Sequence, residues 1–270
     1  MTRLFATDLD GTLLATGGSI SDENVAAIAR ATASGVEVVY VTGRPPRWMS
    51  EIGQMTGHSG LALCANGALL LDLASREIVR ARTLEADTGM LIVDLLRQID
   101  PGMTFAVEVA IPDADFIIDE DYRPRWEPVV APPRMRVERM FDGGQVVKLL
   151  ARPSRGTLHD ADSILVEALA VIEQHADVTH SDVHDLLLEI SALGVNKGTG
   201  LADLAAELGI AQADVAAVGD MPNDVPMVAW AGRGAAVANA HDWVKAVADE
   251  HLPTNDEHAV AVFIDRLLGD

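Results

Sequence analysis

Apolar positions in the first ~80 residues fall into short unbroken runs separated by stretches with helical spacing. Leu4-Phe5-Ala6 reads as a buried strand. Ser21 then reads as a helix N-cap, followed by Val25, Ile28 and Ala29 at helical spacing and by Gly35 as a stop. Residues 36–41 are rich in β-branched side chains and predict a second strand, which ends at Thr42-Gly43-Arg44. Pro45 and Pro46 suit the opening turn of another helix, and the run Leu61-Ala62-Leu63-Cys64 predicts a third strand ending at Ala65-Asn66-Gly67. Strand and helix in alternation predict a parallel α/β sheet.

The middle of the chain has a different rhythm. Residues 87–98 carry Met90, Leu91, Val93, Leu95 and Leu96, an amphipathic helix, and strand-like runs follow at 105–109 and 116–118. A loop-like stretch with five prolines from Pro112 to Pro133 also holds Trp126, Arg123, Arg125, Arg134 and Arg136. A strand at 146–150, a helix near 157–173 and strands around 177–179 and 186–190 complete an α+β pattern. After Ile190 the α/β rhythm resumes, with a helix over about 199–208 closed by Gly209 and a buried strand at 215–218 ending at Gly219-Asp220. A run at 234–238 and a helix over about 258–268 follow. The expected architecture is an α/β, Rossmann-like parallel-sheet core of residues 1–83 and 190–270, with an α+β domain of residues 84–189 inserted into it.

Composition narrows the class of partner. With 270 residues, 49% of them hydrophobic, the chain can bury a full core and divide into two domains. Twenty Lys and Arg against 41 Asp and Glu give a formal net charge of -21, which argues against nucleic acid or an anionic membrane surface as a partner. A small phosphorylated substrate is repelled at long range too, so a phosphate site must carry its own local positive charge. The single Cys64 lies inside an apolar run and reads as a buried, inert thiol, so no disulfide framework is expected. Met1-Thr2-Arg3 leads into the first strand without an apolar signal region, and no run approaches the roughly 20 apolar residues of a membrane span. A cytoplasmic protein is expected.

The chemistry concentrates where strands end. Asp8-Leu9-Asp10-Gly11-Thr12 releases two carboxylates from a buried strand into a glycine turn, and alternation sends Asp8 and Asp10 to the same side. Two like charges held so close repel unless a cation or a shared proton separates them, and oxygen ligands point to magnesium rather than zinc. The residues after Gly11 lack the further carboxylates of an EF-hand loop. Gly194 lies too close to Lys197 for the spacing of a Walker A loop. His180 and His184 are four apart, but Asp182 and the run Leu186-Leu187-Leu188 suggest a turn entering a strand rather than a zinc-binding helix.

Four groups stand at element ends: Asp8 with Asp10, Thr42 with Gly43, Lys197, and Asp220 with Asn223 and Asp224. In order and spacing, DLDGTLL, VTGR, GVNKG and GDMPNDVPM resemble the four motifs of the haloacid dehalogenase superfamily, and more closely its Cof-type phosphatase branch. Asn66-Gly67-Ala68 and AGRGAAVANA near the C-terminus also resemble that branch. The resemblance covers residues 1–83 and 190–270 and implies a Mg²⁺-dependent phosphatase acting on small phosphate monoesters such as sugar phosphates. It implies Asp8 as the nucleophile that forms an aspartyl phosphate, and Asp10 as general acid and base. Mg²⁺ would be held by Asp8 and Asp220, with the backbone carbonyl of Asp10 as a further ligand. Thr42 and the backbone N–H groups of Leu9 and Gly43 would hold phosphate oxygens, Lys197 would supply positive charge, Asn223 would orient phosphate or the surroundings of Asp8, and Arg44 would touch substrate. Asp224 would act one step away, fixing Lys197 or water beside the metal.

The insertion between the second and third motifs resembles the type II cap of subclass B, a domain that closes over the site and selects the leaving group. Arg123, Arg125, Trp126, Arg134, His180 and His184 are its candidate contacts. Two other activities fit the same motifs: a phosphomutase or phosphotransferase that passes the phosphoryl group to a sugar hydroxyl, and a non-catalytic sensor of a phosphorylated ligand.

Overall fold

A computed structural model describes residues 1–110, 116–125, 130–154 and 160–269. The chain begins with β1 (Leu4–Thr7), α1 (Asp22–Ala33), β2 (Glu37–Val41), α2 (Met49–Thr56), β3 (Leu61–Cys64), β4 (Leu69–Asp72) and β5 (Ile78–Ala81). It continues through α3 (Ala86–Ile99), β6 (Thr104–Val109), β7 (Phe116–Ile118), β8 (Val146–Arg152), α4 (Ala161–Ile172), β9 (Ala176–Thr179) and β10 (Leu188–Ala192). The last part holds α5 (Lys197–Glu207), β11 (Val215–Gly219), α6 (Val225–Trp230), β12 (Arg233–Ala236), α7 (Asp242–Val247), β13 (Glu250–His251) and α8 (Ala259–Gly269). These elements form two compact units, Met1–Arg80 with Asn196–Asp270, and Ala81–Val195.

The first unit is α/β. Its sheet runs in the order β13-β12-β11-β1-β2-β3-β4-β5, and every pair from β13 to β3 is parallel. Such strands are covered on both faces, which is why β1 can be apolar throughout. Leu4 and Ala6 face Leu201 and Leu204 of α5 and Met227 of α6 in one buried cluster. Phe5 meets Phe263 of α8 edge to face, with centroids 6.0 Å apart. In register, Thr7 lies beside Val218 on one side and Tyr40 on the other, so β11, β1, β2 and β3 deliver four neighbouring loops to one end of the sheet.

The second unit is an antiparallel sheet in the order β7-β6-β8-β10-β9. Phe105, Val107, Leu149, Leu188 and Ile190 pack under Ile92, Val93 and Leu96 of α3 and Ile164, Leu165 and Ala168 of α4. On the other pleat Lys148 and Glu189 form a buried ion pair at 2.8 Å.

Several boundaries differ from the sequence reading for local reasons. α5 starts at Lys197 rather than near Thr199, because Asn196 caps it: the Asn196 side chain accepts from Thr199 N at 2.9 Å while Thr199 Oγ1 accepts from Asn196 N at 3.1 Å. β10 begins at Leu188 rather than Leu186 and runs to Ala192 because its ladder with β9 continues that far. β4 and β5 were not expected. A tight turn over Ala65–Gly67 reverses β3 into β4, so the apolar run Leu69-Leu70-Leu71 adds an antiparallel strand to the parallel sheet. α6, α7 and β13 are too short to leave a periodic signal. Residues 157–159 of the expected helix, Pro112 and Trp126 lie outside the described residues. Among the described residues no helix is long and apolar enough to cross a membrane.

Asn24 joins three parts of the first unit. The residue is buried; its Nδ2 donates to Leu13 O at 3.3 Å and its Oδ1 accepts from Ala261 N, in the first turn of α8, at 2.9 Å. Asn24→Ala strands both backbone groups without partners and is expected to destabilise the protein by about 2–4 kcal/mol, read as an earlier urea midpoint at unchanged slope.

Candidate active site

The site is made by the ends of β1, β2, β3 and β11 and the first turn of α5. Past Thr7 the backbone leaves the sheet: Asp8 N still donates to Val218 O at 3.0 Å, but Thr12 N and Leu14 N both turn back to Leu9 O. Strand alternation therefore stops before Asp10, and the two aspartates reach different surroundings. Asp8 is buried, whereas the Asp10 side chain is 57% exposed and forms a two-pronged ion pair with Arg44, Nε to Oδ2 at 2.7 Å and Nη2 to Oδ1 at 2.5 Å. Gly11 makes the turn with φ +77°, and a Cβ there would lie 2.3 Å from Asp220 Oδ2, so only glycine lets the loop pass that carboxylate.

Lys197, the first residue of α5, is fully buried. Its Nζ donates to Asp8 Oδ1 and to Asp224 Oδ1, both at 2.6 Å. Asp224 is in turn held by the backbone, its Oδ2 accepting from Asp220 N at 2.9 Å and Met221 N at 3.0 Å. Asp220 takes the Thr12 hydroxyl on Oδ1 at 3.0 Å. One oxygen from each of Asp8, Asp220 and Asp224 lies within 4.8 Å of the other two.

These charges set the proton affinities. Burial, with Asp224 beside it, pushes the Asp8 carboxyl up from 3.8 to about 7, against the pull of Lys197. Burial and the charge of Asp8 likewise raise Asp220 well above the ordinary carboxylate range. Burial alone would lower the Lys197 ammonium, but Asp224 and Asp8 hold it above its usual value. Asp8 Oδ2 and Asp220 Oδ2 take no hydrogen bond from any described residue, and both belong to an all-oxygen, acid-rich donor set. Such a set fits a hard divalent cation.

The sequence-derived candidates thus fall into distinct positions. Asp8, Lys197, Asp220 and Asp224 form one buried cluster, with Asp224 a full member of the acidic group and the carboxylate of Asp10 outside it. Thr42 is buried at the end of β2, its Oγ1 accepting from Arg44 N at 3.0 Å; Gly43 and Arg44 are half-buried beside it, and Leu9 is buried in the first loop. Asn223 is buried between Asp220 and Asp224 and donates Nδ2 to Asn66 Oδ1 at 3.2 Å. Asn66 and Asn239, which donates to Gly11 O at 2.8 Å, were seen in the sequence only inside longer resembling stretches. Their partners are 157 and 228 residues away, a separation no local pattern encodes.

In the second unit the candidate contacts hold their own fold. Arg123 and Arg134 both donate to Glu120 O and Tyr122 O, and Arg125 donates to His184 O at 2.8 Å. His180 is buried with Nε2 2.8 Å from Asp162 Oδ1, and His184 N is bonded to Asp182.

The raised Asp8 proton affinity has a thermodynamic sign. Between its ordinary 3.8 and about 7, the folded state holds a proton that the unfolded chain releases, so the contribution of Asp8 makes metal-free protein lose stability as pH rises through that window. A cation needs the ionised form and so stabilises more at higher pH. In thermal melts, the upshift from added Mg²⁺ is expected to be larger at pH 7.5 than at pH 5.5 and to shrink in Asp220→Asn. An equal upshift at both pH values, or an unchanged one in the variant, contradicts the assignment.

Comparison with known proteins identifies the family. The haloacid dehalogenase-like hydrolase family profile covers residues 5–264. The chain is 30% identical to 5-amino-6-(5-phospho-D-ribitylamino)uracil phosphatase YwtE of Bacillus subtilis, over 99% of this chain and 98% of that protein. It is 26% identical to pyridoxal phosphate phosphatase YbhA of Escherichia coli, over 97% of each. Among solved structures, a haloacid dehalogenase-like hydrolase from B. subtilis superposes with a TM-score of 0.81 at 24% identity, covering 98% of this chain and all of that one. The subclass IIB sugar phosphatase BT4131 superposes with a TM-score of 0.78 at 18% identity, covering 98% and 99%. The chain belongs to the haloacid dehalogenase-like hydrolase family.

Proposed function

We propose that the chain hydrolyses small phosphate monoesters through an aspartyl-phosphate intermediate on Asp8, with Mg²⁺ as cofactor. The reaction class, phosphoric monoester hydrolysis, follows from membership of a hydrolase family whose matched relatives are named phosphatases. The observation that carries the mechanism is the buried cluster in which Lys197 bridges Asp8 and Asp224 while Asp220 stands within reach of both acids.

Each residue has a task that its surroundings support. Asp8, held in one orientation by Lys197, presents Oδ2 to phosphorus; the new Asp8–phosphorus bond forms as the bond to the ester oxygen breaks. Asp10 gives the departing oxygen its proton; to carry that proton the carboxyl, which lies outside the crowded acid cluster, lets go of at least one of the two Arg44 bonds it accepts in the structure. In the second half Asp10 takes a proton from water, whose oxygen attacks phosphorus, releasing inorganic phosphate and restoring Asp8. Thr42 and the loop N–H groups of Leu9 and Gly43 hold the phosphate oxygens, together with Asn223, while Lys197, bonded to Asp8 and Asp224, lowers the negative charge that the phosphate meets. Arg44 was expected to touch substrate; its two bonds to Asp10 support a role in fixing the acid's orientation.

Asp8 and Asp220 are the side chains proposed to hold Mg²⁺, with the backbone carbonyl of Asp10. When bound, the cation neutralises charge that an anionic nucleophile and a phosphate would otherwise set against each other, roughly 4 kcal/mol per charge pair at 4 Å and an effective dielectric of 20.

Sugar phosphates and related metabolites are the proposed substrates, which suits relatives named for a ribityl phosphate and for pyridoxal phosphate. The Ala81–Val195 unit, inserted between the second and third motifs, is proposed as the cap that chooses the leaving group. A cytoplasmic setting belongs to the same proposal, and the free, buried Cys64 is compatible with a reducing compartment.

Phosphate release from a panel of phosphorylated metabolites tests the reading. Asp8→Asn is expected to lose activity below detection with its melting curve still cooperative, and Asp10→Asn to lose about 10²–10⁴-fold. EDTA should abolish turnover and Mg²⁺ restore it. Full activity in Asp8→Asn removes the nucleophile; an isomerised sugar phosphate in place of inorganic phosphate indicates a mutase.

A further inference from the structure

The turn after β3 is strained where it meets the site. Ala65, Asn66 and Gly67 have φ of +50°, +56° and +89°, three left-handed residues in succession of which only glycine adopts that form without cost. Strain of this kind persists where the surroundings over-determine the backbone, and here they do. Ala65 N donates to Arg44 O and Asn66 N to Thr42 O, both at 3.0 Å, which fastens the turn to the loop after β2. On its other side a Cβ at Gly67 would lie 2.5 Å from Asn196 O and 3.4 Å from Gly200 Cα, so the turn abuts the start of α5. The side chain of Asn66, 3% exposed, then reaches the loop after β11 through Asn223. One three-residue turn touches the loops that carry Thr42, Lys197 and Asn223.

The bond to Asn223 selects between two states of an amide. Asn223 is 5% exposed, and among the described residues its Oδ1 is buried without a partner and its Nδ2 makes a single bond, to Asn66 Oδ1. A primary amide has two N–H donors, so this arrangement leaves the second N–H of Nδ2 for an anionic oxygen. Rotating the amide by half a turn would exchange donor and acceptor and present oxygen where nitrogen now stands. With the Asn66 oxygen as acceptor that exchange is disfavoured, because two carbonyl oxygens would then face each other.

We propose that Asn66 is a positioning residue of the phosphoryl-transfer site: its side-chain oxygen holds the Asn223 amide in the orientation that offers an N–H to a substrate phosphate oxygen. The inference rests on the reading of this site given above. It assigns Asn66 no contact with substrate. Its side chain acts on the site through Asn223, which separates it from a general structural role.

The variants are chosen to isolate the side chain. Asn66→Gly removes the amide and keeps a left-handed backbone at no steric cost, so its melting temperature should stay within about 2 °C of wild type. Its kcat/KM for the best substrate of the panel should fall about 10-fold, and the inhibition constant of inorganic phosphate should rise by a similar factor. Asn223→Ala should show losses at least as large, and the double variant should be no worse than Asn223→Ala, because the two residues act as one unit. Multiplicative losses in the double variant overturn the proposal, as does Asn66→Gly with unchanged kcat/KM and unchanged phosphate inhibition, or a loss accounted for by a lowered melting temperature. No phosphate release by the wild type overturns this inference and the reading beneath it together; an active wild type with multiplicative variants overturns this inference alone.

Discussion

The site depends on one buried ammonium. Lys197 has no exposed surface, and a charge in that position is tolerable only if its partners are in place. Asp8 and Asp224 are those partners, 189 and 27 residues away in sequence. Folding must therefore bring the end of β1, the start of α5 and the loop after β11 to one point, because leaving any of the three charges unpaired inside the protein costs several kcal/mol. Other features of the site follow from that requirement. Asp224 is tied to two backbone N–H groups so that its second oxygen stays on Lys197, and Asn196 caps α5 so that its first residue points at the acids.

Crowding of loops is the second constraint. Adjacent parallel strands lie about 4.8 Å apart, so loops leaving β11, β1, β2 and β3 compete for the same space. Glycine resolves two tight approaches, at Gly11 beside the Asp220 carboxylate and at Gly67 beside the backbone of Asn196. In both places φ is positive as well, so backbone conformation and lack of space demand the same residue. The motifs are short and glycine-rich for this reason as much as for phosphate binding.

What could be read from sequence followed the range of the interaction. Asp8, Thr42, Lys197 and Asp220 were legible because each stands at the end of an element whose own pattern is local, and their order along the chain carries the family's spacing. The amphipathic α3 and the apolar β6 and β8 were legible for the same reason. The partners of those residues were not. That Asp10 turns out to Arg44 depends on where β1 stops hydrogen bonding, which alternation alone cannot tell. That Asp224 joins the acid group depends on a turn closed by its own carboxylate. The β3–β4 reversal went unread although Asn66-Gly67 is a turn pair between two apolar runs, and the form of that turn rests on contacts with the β2 loop and α5.

The balance of charge explains why the site can serve an anion on so acidic a protein. Within the cluster, Asp8, Asp220 and Asp224 outnumber Lys197, and both of that ammonium's short bonds go to carboxylates. Lys197 therefore does not present a free positive charge to an incoming phosphate; it first compensates the acids that surround it. Burial first, and then the uncompensated remainder, raise the proton affinities of Asp8 and Asp220. An anionic substrate is compatible with this pocket only when a further positive charge, a cation or a proton, shares it, and near neutral pH the oxygen-only donor set favours the cation. The overall charge of -21 adds a long-range barrier of the same sign, so affinity for phosphate must come from short-range contacts at the strand ends. On the proposed reading, that places the orientation of the N–H groups in those loops, including the amide of Asn223, among the quantities that decide whether the site works.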